Sequence, residues 1–105
     1  MINIYCLPFA GGSQLSYSPF VQYESEHIQF LPLELPGRGA RWREPLLTDI
    51  HEMTNDAFEQ IKNGLTDPYA IYGHSMGSLI GYLLTKKILA HNLPAQLHLF
   101  FSGAH

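Results

Sequence analysis

Residues 69–87, YAIYGHSMGSLIGYLLTKK, decide how this chain folds. Tyr69 to Tyr72 is a short apolar run and reads as a buried strand. From Met76 to about Ala90, the residues Leu79, Ile80, Leu83, Leu84, Ile88 and Leu89 predict a helix that is apolar on most sides and buried on more than one face. Lys86 and Lys87 stand toward its C-terminal end, where the helix dipole favours cations. Between strand and helix lies G-H-S-M-G, with Gly73 and Gly77 two residues either side of Ser75. Without Cβ atoms there, a strand and a helix can meet in a sharp turn. Gly81 lies one turn further on the same helix face and extends the close contact.

Outward from this unit the same alternation repeats. Ile2 to Leu7 is an apolar run ended by Pro8, and Ile28 to Leu33 is a second; both read as strands. Between them come the glycine turn "PFAGGS" and a short helix over Tyr17 to Ser25. "LPGRGARWREP" is a long loop. A better marked helix follows, with Thr48 as N-cap, Asp49 and Glu52 in the first turn, and Ile50, Met53, Ala57, Ile61 and Leu65 on one face. Gly64 suits its C-terminal end. Leu97 to Phe101 is a fourth strand, before "SGAH".

Strand and helix alternate throughout, so the expected fold class is α/β: a mostly parallel sheet of about four strands with right-handed crossovers and helices on both faces. Functional sites in such sheets lie at the carboxyl ends of the strands. "PFAGGS", "LPGRGARWREP", "GHSMG" and "SGAH" all follow strands and should gather on one rim.

The 105 residues suit a single domain, 46% hydrophobic and only 14% charged, the reverse of a disordered chain. A formal charge of -3 gives no electrostatic reason to expect nucleic acid. No stretch approaches the ~20 apolar residues of a membrane span. The start lacks a basic region and does not read as a signal peptide. Cys6, alone of its kind, reads as buried packing in a reducing compartment. A soluble cytoplasmic protein is the expectation, with no cofactor. No Cys/His cluster has metal-ligand spacing, so no metal is expected.

G-x-S-x-G at a strand-to-helix turn is the pattern of a nucleophile elbow: the turn pushes the serine hydroxyl out over the sheet, beside the unpaired N–H groups that open the helix. Ser75 is therefore the candidate nucleophile. Acyl transfer also needs two donors for the oxyanion. The backbone N–H of Met76 is one candidate, and that of Ala10 in the "PFAGGS" loop is the other. A plain glycine turn at Gly11-Gly12 is the alternative reading of that loop.

Taken together, "CLPFAGGS", "LELPGRGARWREPL", "YGHSMGS" and "FFSGAH" resemble the successive motifs of type II thioesterases, α/β-hydrolases that serve non-ribosomal peptide and polyketide synthetases. The resemblance runs over nearly the whole chain. It implies hydrolysis of acyl thioesters on the phosphopantetheine arm of carrier proteins, an editing role. It matches Ser75 to the family nucleophile, and Met76 and Ala10 to its oxyanion donors.

The family is roughly twice as long, and its triad acid and base follow the serine. Here no Asp or Glu occurs after Ser75. His91 reads as a helix-end residue, His98 lies within a strand, and His105 is on the rim but at the chain terminus. His74 adjoins the serine and reads as packing or hydrogen bonding; His27 and His51 read as surface. Glu34 and Glu44 precede the serine and are the carboxylates left to orient a histidine. Residues 1–105 thus read as the N-terminal portion of a hydrolase domain, inactive or nearly so alone, with Leu97 to Phe101 as an open apolar edge. Arg38 and Arg41, around Trp42, are candidate contacts for the pantetheine phosphate or the carrier protein. The competing reading is a loop pinned by ion pairs, with Glu44 as a partner. A non-catalytic module that binds carrier proteins or itself, and a serine esterase or acyltransferase, are the alternative functions.

Overall fold

The computed structural model describes residues 2–7, 26–96 and 98–102, the last stretch as backbone with the side chain of Leu99. Strands β1 (Ile2–Leu7), β2 (Ile28–Pro32), β3 (Tyr69–His74) and β4 (His98–Ser102) form one sheet in the order β2-β1-β3-β4. Every pairing is parallel: Ile4 lies opposite both Phe30 and Ala70, and Ile71 opposite Leu99. Helix α1 (Ile50–Ile61) joins β2 to β3, and helix α2 (Met76–Ala90) joins β3 to β4.

Both crossovers step the same way across the sheet, so right-handed connections put both helices on one face. They pack together there. The ring of Phe58 on α1 lies 5.1 Å beneath the Lys87 ammonium and 4.9 Å from the His91 ring, both at the end of α2. The helix expected over 17–25, which would cover the other face, lies outside the described residues, as do "PFAGGS" and the final "GAH".

Alternation along the strands sorts the two sheet faces. Tyr5, Leu7, Tyr69 and Ile71 point to the helices. They form the core with Met53, Ala57, Phe58 and Ile61 of α1 and Ile80, Leu84 and Ile88 of α2. Each such side chain contributes about 1.5–3 kcal/mol when fully buried. The Tyr5 and Tyr69 rings meet edge-on at 5.9 Å, and the Tyr69 hydroxyl donates to the carbonyl of Pro94 at 2.6 Å. Burial, with Tyr5 beside it, pushes the Tyr69 hydroxyl up to about 12. Cys6, on the opposite face, is fully buried, and this pushes its thiol up to about 12. It is a packing residue with no thiolate at neutral pH.

Several boundaries differ from the sequence reading. The N-cap of α1 is Asp49, not Thr48: its extended backbone lets the carboxylate accept from the His51 N–H at 2.8 Å. Thr54 and Phe58 join the buried face of α1. Gly64 closes a short 3-10 turn, Lys62–Gly64, rather than the helix itself. β2 stops at Pro32 and β3 runs on to His74. In the long loop, Gly39–Arg41 forms a 3-10 turn. Helix α2 is buried on more than one face, as its composition predicts, against the sheet and against α1. Ile80, Leu84 and Ile88 are fully enclosed, but Leu79, Tyr82 and Leu89 are half-exposed.

Candidate active site

Ser75 stands between β3 and α2 with φ 55° and ψ −118°. Glycine adopts such a conformation readily, whereas an L side chain is strained in it. Close packing of strand against helix imposes it. A Cβ on Gly73 would run into the carbonyl group of Gly77 and stand 2.7 Å from the Ser78 nitrogen. The Ser75 carbonyl is held in turn by Ser78, whose N–H donates to it at 2.9 Å and whose hydroxyl donates at 2.6 Å. Ser78 is buried and was not singled out in the sequence. Its signal is a serine three residues into a helix, a place that reaches back to the capping position.

The hydroxyl-bearing residue itself is exposed at the carboxyl end of β3. Met76 opens α2, so its N–H belongs to the first-turn groups that lack an intrahelical acceptor and carry the positive end of the dipole. Serine and donor are therefore neighbours on the rim. Ala10, the second expected donor, lies outside the described residues, as does His105. The described site thus joins Gly73, Ser75, Met76, Gly77 and Ser78.

The loop after β2 is a second structured feature of the rim. Leu33 continues the β1 pairing by donating its N–H to the Cys6 carbonyl at 2.9 Å. Glu34 follows and is buried. Its carboxylate accepts from the Ala40 N–H at 3.3 Å and occupies the space that a Cβ on Gly39 (φ +48°) would need. Arg41 ties this loop to α1. Its Nε and Nη2 donate to the Glu44 carboxylate at 2.6 and 2.9 Å. Nη1 and Nη2 donate to Asp56 at 2.7 and 2.9 Å, and Nη1 also donates to the Glu34 carbonyl at 2.8 Å. Gln60 donates to the same carbonyl at 2.9 Å.

The network fits the ion-pair reading of this loop: five hydrogen bonds match the five N–H donors of Arg41, and Glu44 is one of the partners. The Glu44 carboxylate is held by Arg41, and that of Glu34 accepts from Ala40. Arg38, half-buried, lends its backbone carbonyl to the 3-10 turn. His91 stacks on Phe58 and contacts the Lys87 carbonyl through Nδ1 at 2.8 Å. It closes the far end of a 15-residue helix, about 22 Å from Ser75, and cannot serve as its base.

Burial works to raise the Asp56 carboxyl, but the hydrogen bonds from Arg41 and Gln60 and the Arg41 charge outweigh it and hold the group below its ordinary value. The hydrogen bond from Arg41 likewise lowers Glu44. A carboxyl depressed in the folded state stabilises above its unfolded pKa, and that stability is lost as pH falls through the folded value. Arg41→Met should cost about 2 kcal/mol at pH 7, mainly through the half-buried Asp56 pair. The gap to wild type should begin to shrink below about pH 4, where these carboxylates protonate in the unfolded chain, and should close as pH falls through their lower folded values. Urea midpoints at pH 7 and pH 3 test this; an unchanged gap would show that the carboxylates are not linked to folding.

Residues 3–105 match the model of the thioesterase domain family. The chain belongs to the thioesterase family. It is 32% identical over 104 residues to the gramicidin S biosynthesis protein GrsT of Aneurinibacillus migulanus, covering 99% of this chain and 41% of that protein. It is 33% identical over 103 residues to the human medium-chain S-acyl fatty acid synthase thioesterase, covering 97% of this chain and 39% of that one. Among solved structures, ClbQ from the colibactin non-ribosomal peptide/polyketide pathway superposes with a TM-score of 0.91 at 38% identity, over 98% of this chain and 44% of its own. The thioesterase chain described here therefore spans about two-fifths of the length of the curated relatives it matches. The partial α/β-hydrolase fold expected from the sequence is the fold observed.

Proposed function

We propose that residues 1–105 carry the nucleophile portion of a type II thioesterase. The whole protein would hydrolyse acyl thioesters on the phosphopantetheine arms of carrier proteins and edit non-ribosomal peptide or polyketide assembly. The supporting observation is the strained, exposed Ser75 at the mouth of α2. In this reading the turn is a nucleophile elbow. Ser75 Oγ attacks the thioester carbonyl, and the oxyanion is met by the N–H groups of Met76 and Ala10. The thiol leaves, and water releases the acyl group from Ser75. Arg38 keeps the candidate role toward the pantetheine phosphate; Arg41 serves by holding the loop. The acid and base belong to polypeptide beyond these residues, so the chain alone should be inactive or nearly so.

The test joins residues 1–105 to the segment of ClbQ that follows its matched part, beside the chain alone. The fusion should hydrolyse acyl-carrier thioesters, and Ser75→Ala should lower kcat/KM by at least ~10³-fold. Hydrolysis that survives Ser75→Ala would remove Ser75 as nucleophile. Faster turnover of simple esters than of carrier thioesters would favour the esterase reading. Robust, Ser75-dependent turnover by the chain alone would overturn its inactivity.

A further inference from the structure

Ser78 sits beneath the turn at Ser75, in the first turn of α2, and is only 7% exposed. Gly73 makes room for it: a Cβ there would stand 2.7 Å from the Ser78 nitrogen. Both donors of Ser78 go to one acceptor. Its N–H donates to the Ser75 carbonyl at 2.9 Å and its hydroxyl at 2.6 Å. The first is a backbone bond that most residues could make. The second, the shorter, belongs to the serine side chain. Thr54 and Thr85 also return their hydroxyls to a carbonyl, but those carbonyls, of Ile50 and Gly81, belong to helical residues. The Ser78 acceptor is the carbonyl of the capping residue that bears the candidate nucleophile.

The Ser75 carbonyl shares a planar trans peptide with the Met76 N–H, so the two point in opposite directions. Whatever fixes the carbonyl fixes the N–H. Rotation about ψ of Ser75 turns this peptide as a unit, and that angle stands at −118°. With φ at 55°, the favoured left-handed well lies near ψ of about +47°, so relaxation would turn the peptide over by nearly half a turn. The N–H would leave the rim and the carbonyl oxygen would take its place, the wrong sign for a developing oxyanion. Both hydrogen bonds from Ser78 oppose that rotation. Hydrogen bonds into a carbonyl also polarise its peptide and strengthen the N–H at the other end as a donor.

We propose that Ser78 is a positioning residue for the oxyanion: its hydroxyl pins the Ser75–Met76 peptide so that the Met76 N–H faces the reacting carbonyl. The inference rests on the reading of Ser75 as nucleophile and Met76 as oxyanion donor, and adds to it a residue that acts through their shared peptide. Ser78 is buried and its hydroxyl faces the carbonyl end of that peptide, away from the N–H.

Ser78→Ala removes the hydroxyl bond and keeps the backbone one; Ser78→Thr keeps both. In the fusion with the following ClbQ segment, Ser78→Ala should lower kcat on an acyl-carrier thioester about tenfold and leave KM within about twofold, since the donor matters most once the oxyanion has formed. Ser78→Thr should keep kcat within about threefold of wild type. A second readout needs no turnover. In the isotope-labelled chain alone, the Met76 amide signal should be single and sharp in wild type and Ser78→Thr, and doubled or broadened in Ser78→Ala. An unchanged kcat in Ser78→Ala would overturn the proposal, and so would a Met76 amide indifferent to the substitution. Equal falls of kcat in both variants, at wild-type thermal midpoints, would show that the hydroxyl is not the agent. The Ser75→Ala fusion separates the two readings. If it is dead while Ser78→Ala runs at full rate, the nucleophile stands and the role of Ser78 falls. If it still turns over, Ser75 falls as nucleophile and the oxyanion role of Ser78 falls with it, whatever the amide signal shows.

Discussion

Gly73→Ala should leave little folded protein. The added Cβ would meet the carbonyl group of Gly77 and come within 2.7 Å of the Ser78 nitrogen, both backbone atoms in the first turn of α2. A side-chain tip could rotate away; backbone can move only if the helix moves. Helix α2 cannot slide cheaply, because Ile80, Leu84 and Ile88 are fully buried against the sheet and α1. The cost should be at least ~3 kcal/mol, a large fraction of the 5–15 kcal/mol typical of a domain. Gly81→Ala is the internal comparison. Its nearest neighbours are the side-chain atoms Leu99 Cδ1 at 3.2 Å and Leu7 Cδ1 at 3.3 Å. These can give by a few tenths of an ångström, and alanine gains about 1 kcal/mol of helix propensity over glycine. Urea unfolding followed by circular dichroism should show a collapsed midpoint for Gly73→Ala and a near wild-type one for Gly81→Ala. A wild-type midpoint for Gly73→Ala would show that α2 can shift without loss of packing.

Ser75→Gly should stabilise the chain while removing its chemistry. A residue held at φ 55° and ψ −118° carries strain of about 1–3 kcal/mol, which glycine does not feel. Glycine gives back part of this through the entropy of the unfolded chain, leaving a net gain of about 1 kcal/mol. Ser75→Ala keeps its Cβ, and so keeps the strain, and should match wild type in stability. In the fusion both variants should lose the acyl-enzyme, read by intact mass after mixing with an acyl-carrier thioester, and with it at least ~10³-fold in turnover. The pair separates the two properties of one position. Equal midpoints for the glycine and alanine variants would show that no strain is stored there. An acyl adduct surviving in either variant would place the nucleophile elsewhere.

The stretch 69–87 was legible because its signals are local. Gly73, Ser75 and Gly77 specify a turn through the absence of two Cβ atoms, and the apolar runs around them have the periods of a strand and a helix. The predicted span of α2, Met76 to Ala90, is the observed one. Boundaries set by competition between neighbours were less legible. Thr48 and Asp49 both carry a capping oxygen, and only the extended backbone of Asp49 decides which one caps. Arg41 shows the limit most plainly. Its nearness to Glu44 could be read in sequence, but Asp56 lies 15 residues on and Glu34 seven back, and the fold alone brings both to one guanidinium.

The sequence by itself determined the alternation of strand and helix, the parallel sheet and the sharp turn at Ser75. Each of these follows from residue periodicity and from where glycine stands. The tertiary structure decided that Arg41 is an internal tie, that Glu34 is buried with its carboxylate against Gly39 and Ala40, and that Leu79, Tyr82 and Leu89 are half-exposed. Those outcomes depend on which groups meet across distant segments and on which flank of a helix has a neighbour. Composition is blind to both, since an apolar residue on α2 looks the same whether or not another segment lies beside it.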